Sequence, residues 1–426
     1  LELSKTLHDD RHRFEEVDVP VVTTSASFRR AIARSLKEEP RLVDNDIVLS
    51  RAHFSMAVGV MREATERKLT AWLVDPINYV SDRDWKKIIL LVQAGYLVAK
   101  FPVLKQIKDF LDTVARGKLP LTQAITSPLL YATERASKPI ISLHYETGNI
   151  LARDGKKVLQ VITDPHIRPQ YLYEAQRENI YFAVFDRQTK DDFLARAERL
   201  GKSVDPKKVV VTGPPVDPRI VKSRRKKDSE AVGKRGLRLA VTTGGLGQNK
   251  TEIEKALRSI APQIKGGDIR VVLYASTLLH FKKLYSDIAR EFDIREGSIE
   301  DEDANVRILY YPSIIDANQA LIDHVFGWAD GFLTKPSGDM AYDAAAAGCF
   351  LLLLEPWGEW EENVGRVFTN LGIAQKAEPG VFDKQIGKLS SSGWIRQAID
   401  KALNLDPLFL NGAKKIVDLQ QTLGIK

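Results

Sequence analysis

The stretch from Gly331 to Ala344 carries residues that could hold an anion where a predicted strand gives way to an Ala-rich predicted helix. Ser337 and Gly338 can cap that helix, and the free N–H groups at a helix N-terminus attract phosphate. Lys335 adds a positive charge to the turn, and Asp343 could accept hydrogen bonds from the two hydroxyls of a ribose. The stretch therefore predicts a nucleotide site, with a capping acid on the surface as the alternative at Asp343.

A second glycine-rich turn, Thr243–Thr251, also follows a predicted strand and opens a predicted helix. Gly244, Gly245 and Gly247 would let a ligand come close to the backbone. The spacing is not that of a Walker loop. A phosphate loop and a tight turn without a ligand both fit this sequence.

A third turn, Pro356–Asn363, follows the next predicted strand and contains two tryptophans and several polar side chains. Glu359 and Asn363 are its candidates for contact with a ligand. The alternative is an acidic first helical turn, which is common because a carboxylate there is stabilised by the helix dipole.

The first half of the chain offers two candidate catalytic residues, His53 and Asp164. His53 lies in a predicted strand-to-helix turn, and a histidine near its ordinary pKa is the usual general base at neutral pH. Asp164 lies in a second polar turn, Ile162–His166, and a carboxylate can also take a proton. A capping or packing role is the alternative for His53.

Short β-branched runs alternate with helical patterns along the whole chain, which predicts an α/β fold with parallel sheets. Ligands of such sheets bind beyond the carboxyl ends of the strands. The predicted strands are Asp46–Leu49, Thr70–Val74, Pro139–Leu143, Lys157–Ile162, Ile180–Val184, Lys208–Val211, Arg238–Thr242, Arg270–Tyr274, Val306–Tyr310, Gly331–Leu333 and Phe350–Leu354.

The length of 426 residues fits two large domains. A Pro-rich turn and a basic run between Gly213 and Gly236 indicate the boundary. We therefore expect domains at 1–222 and 236–405, with 406–426 forming a C-terminal helix that returns to the first domain.

Composition narrows the function classes. The net charge of +7 favours anionic partners, but no aromatic and basic pattern of a nucleic-acid module is present, so no nucleic acid is expected. The single cysteine, Cys349, allows no intrachain disulfide, and no metal-binding Cys/His spacing or Asp-x-Asp site appears. The N-terminus, Leu1–Glu16, is too polar for a signal peptide, and no apolar run is long enough to span a membrane. We expect a cytoplasmic protein without a metal.

Taken together, these turns resemble the GT-B glycosyltransferases related to monogalactosyldiacylglycerol synthase, diacylglycerol glucosyltransferases and the peptidoglycan lipid-intermediate N-acetylglucosaminyltransferase. The segment Thr334–Ala344 is similar to the family's Thr-Lys-x-Gly-Gly-x-Thr-x-x-Glu-Ala, and Thr163-Asp164 and the turn Gly244–Gly247 also fit. The sequence departs from the family pattern at Ser337, which replaces a glycine, and at Met340, which replaces a threonine.

The resemblance implies a GT-B fold, two Rossmann-like domains facing a central cleft, and inverting, metal-independent transfer from a UDP-sugar to a lipid or lipid-linked acceptor. The UDP-sugar would be a substrate rather than a cofactor. By position, Asp343 would bind the ribose, Ser337, Gly338 and Gly244–Gly247 would hold the diphosphate, and Glu359 and Asn363 would face the donor sugar. His53 would be the base or an acceptor contact. A sugar-nucleotide epimerase and a non-catalytic nucleotide-sugar-binding protein on the same fold stay open as alternatives.

One further stretch, Lys86–Lys105, is apolar and flanked by lysines. Such a basic amphipathic surface binds anionic bilayers, so we expect peripheral contact at the inner face of the membrane. A buried helix is the alternative. The resemblance implies a role in glycolipid biosynthesis.

Overall fold

The computed structural model of the chain describes residues 6–28, 46–81, 83–88, 120–244 and 247–425. Two parallel sheets of six strands each, flanked by helices, form its framework. The two halves follow each other along the chain, and each contains one sheet. This architecture confirms the predicted pair of Rossmann-like domains.

The first sheet has the strand order β2-β1-β3-β4-β5-β6, and all of its pairings are parallel. Parallel strands need crossover connections, and helices provide them here. The strands are β1 (Val19–Val22), β2 (Ala71–Val74), β3 (Ile140–Ser142), β4 (Val158–Val161), β5 (Ile180–Val184) and β6 (Val209–Val211). The helices of this half are α1 (Leu7–Glu16), α2 (Arg51–Glu66), α3 (Pro120–Thr133), α4 (Tyr145–Arg153), α5 (Arg187–Arg199) and α6 (Pro218–Ser223).

The second sheet has the order β12-β11-β10-β7-β8-β9, which is the doubly wound arrangement with a change of direction between β7 and β10. Its strands are β7 (Leu237–Thr242), β8 (Ile269–Ser276), β9 (Val306–Tyr310), β10 (Gly331–Thr334), β11 (Phe350–Leu353) and β12 (Ala374–Lys376). Its helices are α7 (Lys250–Gly266), α8 (Leu279–Glu291), α9 (Ile314–Leu321), α10 (Met340–Ala346), α11 (Glu359–Asn370), α12 (Phe382–Ser391) and α13 (Trp394–Leu403), and α14 (Gly412–Ile425) ends the chain.

In the first half, one predicted strand is absent and one strand was not predicted. The predicted strand Asp46–Leu49 is wrong, since Val48 makes only an isolated antiparallel bridge to Ala26. The run Val19–Val22 forms β1 although it contains Pro20. Pro20 is tolerated because β1 pairs with β3 only at Val21 and Val22, beyond the residue that lacks an N–H.

The two halves share one hydrophobic core. A single buried cluster joins Leu143 and Phe185 of the first half to Phe332 and Tyr342 of the second. The rings of Phe185 and Tyr342 lie 5.1 Å apart, edge to face. The halves are therefore packed against each other rather than connected by a linker alone.

The C-terminal helix α14 packs against α2 and β1 of the first half. The fully buried Gln420 donates from Nε2 to the carbonyl oxygens of Asp18 and Pro139, at 3.0 Å each. Arg67 donates to Asp418 at 2.6 Å. These contacts link the end of the chain to its first sheet.

None of the helices in the described part of the chain combines the length and apolar character needed to span a bilayer. The lysine-flanked stretch Lys86–Lys105 lies outside the described residues beyond Ile88. Lys86 and Lys87 are exposed and Ile88 is buried.

Candidate functional site

A cleft of about 320 Å³ opens where the carboxyl ends of the two sheets face each other. The first half lines it with turns that follow β1, β3 and β4, together with the start of α2, and the second half with turns that follow β7, β10 and β11. Of the predicted site residues, it contains His53, Asp164, Gly244, Lys335, Ser337 and Gly338.

His53 lies in the first turn of α2. Ser50 caps this helix, and its Oγ accepts from the His53 N–H at 3.3 Å. The Nε2 of His53 lies 3.1 Å from Oγ1 of Thr163, which itself lies 3.1 Å from the hydroxyl of Tyr171. Burial and the nearby charge of Arg168 lower the pKa of His53 to about 4. The imidazole is therefore neutral at physiological pH and a weak base.

Asp164 follows β4 at the floor of the cleft, and its Oδ2 lies 3.5 Å from a guanidinium nitrogen of Arg168. Burial raises the pKa of Asp164 to about 6, against the opposing charge of Arg168 and with support from the carboxylates of Glu361 and Asp339. The Arg168 guanidinium also lies over the ring of Trp360, 4.9 Å from its centre. Asp164 is therefore ionised at neutral pH, with a pKa near the range that suits a general base.

Gly338 brings the second half directly against Asp164. A Cβ at position 338 would lie 2.4 Å from Oδ1 of Asp164 and 2.6 Å from the carbonyl oxygen of Thr163. Ser337 caps the helix that follows, because its Oγ accepts from the Met340 N–H at 3.2 Å. Only glycine allows the turn after β10 to approach the turn after β4 so closely.

Lys335 extends along the backbone of Gly244, where an added Cβ would lie 2.8 Å from its Cε. Its Nζ donates to Oε1 of Gln248 at 2.9 Å and to Oε1 of Glu361. Glu361 is almost fully buried, with 1% of its side chain exposed, and its Oε2 accepts from the Trp357 N–H at 2.8 Å. The cation on the predicted phosphate turn is thus already paired with a carboxylate.

Arg51 crosses from α2 to the second half, and its side chain is 5% exposed. One terminal nitrogen donates to Asp339, and the other donates to Oδ1 of Asn318 at 3.2 Å and lies 3.8 Å from Oδ2 of Asp343. Although burial opposes ionisation of Asp339, the Arg51 charge outweighs it and the pKa of Asp339 is lowered. Burial raises the pKa of Asp343 to about 8 in spite of Arg51, so this carboxyl is mostly protonated at pH 7.

The remaining predicted contacts are placed elsewhere. Asp343 does not line the cleft and lies on the Ala-rich helix α10, all of whose residues are buried. Gly247 faces His280 and Phe281, Glu359 is exposed at the start of α11, and Asn363 donates to the carbonyl of Pro165 at 3.2 Å. Gly245 lies outside the described residues.

Sequence reasoning missed Glu361 and Arg168 as members of the cleft. The helical pattern of α11 contains a signal for Glu361, since it shares the i, i+3, i+7 face of the buried Val364 and Phe368. Glu359 lies off this face. Arg168 comes four residues after Asp164, a spacing that suggests a pair only once the local fold is known.

Among the described residues, no three His, Cys, Asp or Glu side chains come together in a way that could hold a metal ion. The cleft can position a polar ligand between a carboxylate and a glycine-lined backbone. It can accept a proton at Asp164 and, through Lys335, contact an anion.

No protein-family model and no curated protein matches this sequence. The fold, in contrast, resembles solved structures. The UDP-GlcNAc 2-epimerase of Neisseria meningitidis, bound to UDP-GlcNAc, is 12% identical with a TM-score of 0.53 over 94% of this chain and 98% of its own. Os79 from O. sativa, in complex with UDP, is 9% identical with a TM-score of 0.52 over 95% of this chain and 100% of its own.

These two likenesses extend over nearly the whole of each chain, so both halves and their order are shared. They show the predicted GT-B fold. At identities of 9% and 12% they show the fold alone.

Proposed function

We propose that this protein is an inverting hexosyltransferase that moves a sugar from a UDP-sugar to a lipid or lipid-linked acceptor. One observation carries the proposal. A single cleft joins a carboxylate with a raised pKa, Asp164 of the first half, to the Gly244 backbone and the Lys335 ammonium of the second. Acceptor activation and leaving-group binding thereby face each other, as this reaction requires.

The second half is suited to the nucleotide diphosphate. Gly244 and Gly338 bring backbone without side chains to the cleft at two neighbouring turns, after β7 and β10, which flank the change of strand direction. Ligands of doubly wound sheets bind at this point. The likeness of the fold to two proteins solved with UDP or a UDP-sugar supports the same kind of ligand here.

Asp164 is the better candidate for the base. With a pKa of about 6 it is ionised at pH 7, whereas His53, with a pKa of about 4, has little affinity for a proton there. We assign His53 and Thr163 to orienting the acceptor hydroxyl, since they lie 3.1 Å apart at the cleft wall.

The reaction then balances as a single displacement. The acceptor hydroxyl gives its proton to Asp164 while its oxygen bonds to the anomeric carbon of the donor sugar. The bond from that carbon to the diphosphate oxygen breaks, and the diphosphate leaves with the electron pair and one more negative charge. The configuration at the anomeric carbon inverts. Lys335 and backbone N–H groups stabilise the leaving group, so no metal is required.

Net charge and one sequence pattern support the proposed lipid acceptor and contact with the inner face of the membrane. The net charge of +7 favours an anionic surface, and the stretch Lys86–Lys105 has the apolar, lysine-flanked pattern of an interfacial segment.

Two observations favour other functions on this fold. The likeness to the Neisseria epimerase extends over 94% of this chain, so interconversion of a UDP-sugar without an acceptor is a second candidate. The engagement of Lys335 by Glu361 and of Arg51 by Asp339 favours a protein that binds without turnover.

The discriminating experiment incubates the protein with labelled UDP-hexoses, with and without diacylglycerol or polyprenyl-diphosphate acceptors in anionic vesicles. We expect label in the lipid, inverted anomeric configuration by NMR, no loss in EDTA, and co-flotation of the protein with the vesicles. Asp164→Asn should lower kcat by at least about 100-fold, as expected for loss of a general base.

Interconversion of the free UDP-sugar without an acceptor would contradict the proposed transferase activity and support the epimerase. Binding of UDP-sugar without any conversion would leave the non-catalytic protein. Loss of activity in EDTA would contradict the metal-independent mechanism.

A further inference from the structure

We propose that Glu361 is a positioning residue that competes with the donor diphosphate for Lys335 and thereby weakens nucleotide binding and speeds nucleotide release. This inference rests on the proposed function, because it concerns the same cleft and takes a nucleoside diphosphate as the ligand. It assigns a role to a buried acid that the displacement itself does not use.

Lys335 is the cation placed on the glycine-lined side of the cleft. Its side chain runs along Gly244, and its ammonium reaches Gln248 and Glu361 rather than the open space. With 17% of its side chain exposed, it borders the cleft and is within reach of a ligand. A phosphate on the Gly244 backbone would therefore meet an ammonium that already has a carboxylate partner.

Glu361 is fixed in place from both of its oxygens. One accepts from Lys335 and the other accepts from the Trp357 N–H at 2.8 Å. Its side chain is 1% exposed, on the same face of α11 as the buried Val364 and Phe368. Glu361 therefore cannot follow Lys335 toward a ligand, and the ammonium must divide its hydrogen bonds between the carboxylate and the phosphate.

Gln248 supplies a second sign that this corner is arranged for an oxygen-rich ligand. Its Oε1 accepts from Lys335, while its Nε2 is buried and has no hydrogen-bond partner among the described residues. A buried donor without a partner is costly, and a phosphate oxygen would satisfy it. Both Lys335 and Gln248 can thus donate a hydrogen bond to the ligand. Glu361 competes with the ligand only for Lys335.

The competition affects the product most. UDP carries one more negative charge than the UDP-sugar and would be held more strongly by a free ammonium. A fixed carboxylate partner offsets part of that ammonium's charge, so Lys335 holds the extra charge of UDP less strongly and the product is released more readily after transfer. Removal of the Glu361 charge should therefore tighten UDP binding through Lys335 alone.

The test measures the Kd of UDP and of uridine by calorimetry for wild type, Glu361→Gln, Lys335→Met and the double variant. Glutamine keeps an oxygen for the Trp357 N–H but loses the charge. We expect Glu361→Gln to lower the Kd of UDP by roughly three- to thirty-fold, with no change for uridine. In the Lys335→Met background the same substitution should have no effect, because the competitor then has nothing to compete for.

Glu355→Gln is the matched control, since Glu355 pairs with Lys376 on the surface and lies outside the cleft. Its Kd for UDP should equal that of wild type. If Glu361→Gln does not fold, Glu361→Asp, which keeps the charge but retracts it from Lys335, should tighten UDP binding to a smaller extent.

An unchanged or higher Kd for UDP in a folded Glu361→Gln protein would overturn this inference. If wild type still binds UDP in that case, the proposed nucleotide site is not contradicted. Equal tightening in the Lys335→Met background would also overturn it. Failure of UDP to bind wild type and every variant would instead refute the nucleotide site itself, and the inference with it.

Discussion

Each cationic side chain in the described wall of the cleft faces a carboxylate. Arg51 pairs with Asp339, Lys335 with Glu361, and Arg168 lies 3.5 Å from Asp164. Buried pairs of this kind gain little over their desolvation cost, so they contribute little net stability. A phosphate that contacts one of these cations must therefore share it with a carboxylate.

Asp164 also links the chemistry to stability. Its folded pKa of about 6 lies above the ordinary value of 3.8, so the folded state binds the proton more tightly than the unfolded state. The stability that this proton provides is present below pH 4 and is lost as the pH rises through about 6. We compare the change in the free energy of unfolding that Asp164→Asn causes at two pH values. We predict that this change is more favourable at pH 7.5 than at pH 4 by on the order of 2 kcal/mol.

Urea unfolding of both proteins at the two pH values measures this difference. Asp75, another buried carboxyl whose pKa is raised to about 6 by burial, is present in both proteins and cancels. An effect of Asp164→Asn that is the same at pH 4 and pH 7.5 would mean that Asp164 has an ordinary pKa and is not tuned as a base.

At the scale of elements, two turns determine the shape of the cleft. The turn after β10 approaches the turn after β4 so closely that Gly338 has no room for a Cβ next to Asp164. This contact joins the candidate base to the candidate diphosphate site without any side chain of the second half in between.

We predict that Gly338→Ala forces these turns apart and lowers the free energy of unfolding by about 1–3 kcal/mol, the usual cost of overpacking. The affinity for a UDP-sugar should fall as well. Gly387→Ala serves as the control, because Gly387 is exposed on α12 with no atom within 4 Å of an added Cβ, and alanine there should stabilise the helix by up to about 1 kcal/mol. Denaturant unfolding and calorimetry check both variants, and unchanged stability of Gly338→Ala would contradict the close approach.

Local sequence patterns predict the elements well where the apolar signal is continuous. Ile180–Val184 and Val306–Tyr310 are strands with the predicted bounds. β12 was missed because its residues, Ala374–Lys376, include two polar side chains at the edge of the sheet. Glu359 was expected to face the donor because of its position in the family pattern, whereas the buried face of α11, with Val364 and Phe368, carries Glu361.

At the scale of the whole molecule, the contacts that matter join residues far apart in the chain. Arg51 and Asp339 are separated by 288 positions, and nothing in either local sequence indicates the other. The local sequence likewise did not indicate that Asp343 is buried beside Arg51, because that contact depends on how the two halves pack. Sequence reasoning could place the turns at the ends of strands. It could not decide which side chains pair with each other where the two halves pack together.

The arrangement of the halves also defines the central claim, which is that one nucleotide-sugar site is built from both. Hydrogen–deuterium exchange with and without a UDP-sugar tests it most directly. We predict slower exchange with ligand in the turns 163–168 of the first half and 334–340 of the second, and no change in helix α12, which does not line the cleft. Protection confined to one half, protection away from the cleft, or no change with any UDP-sugar would contradict the account.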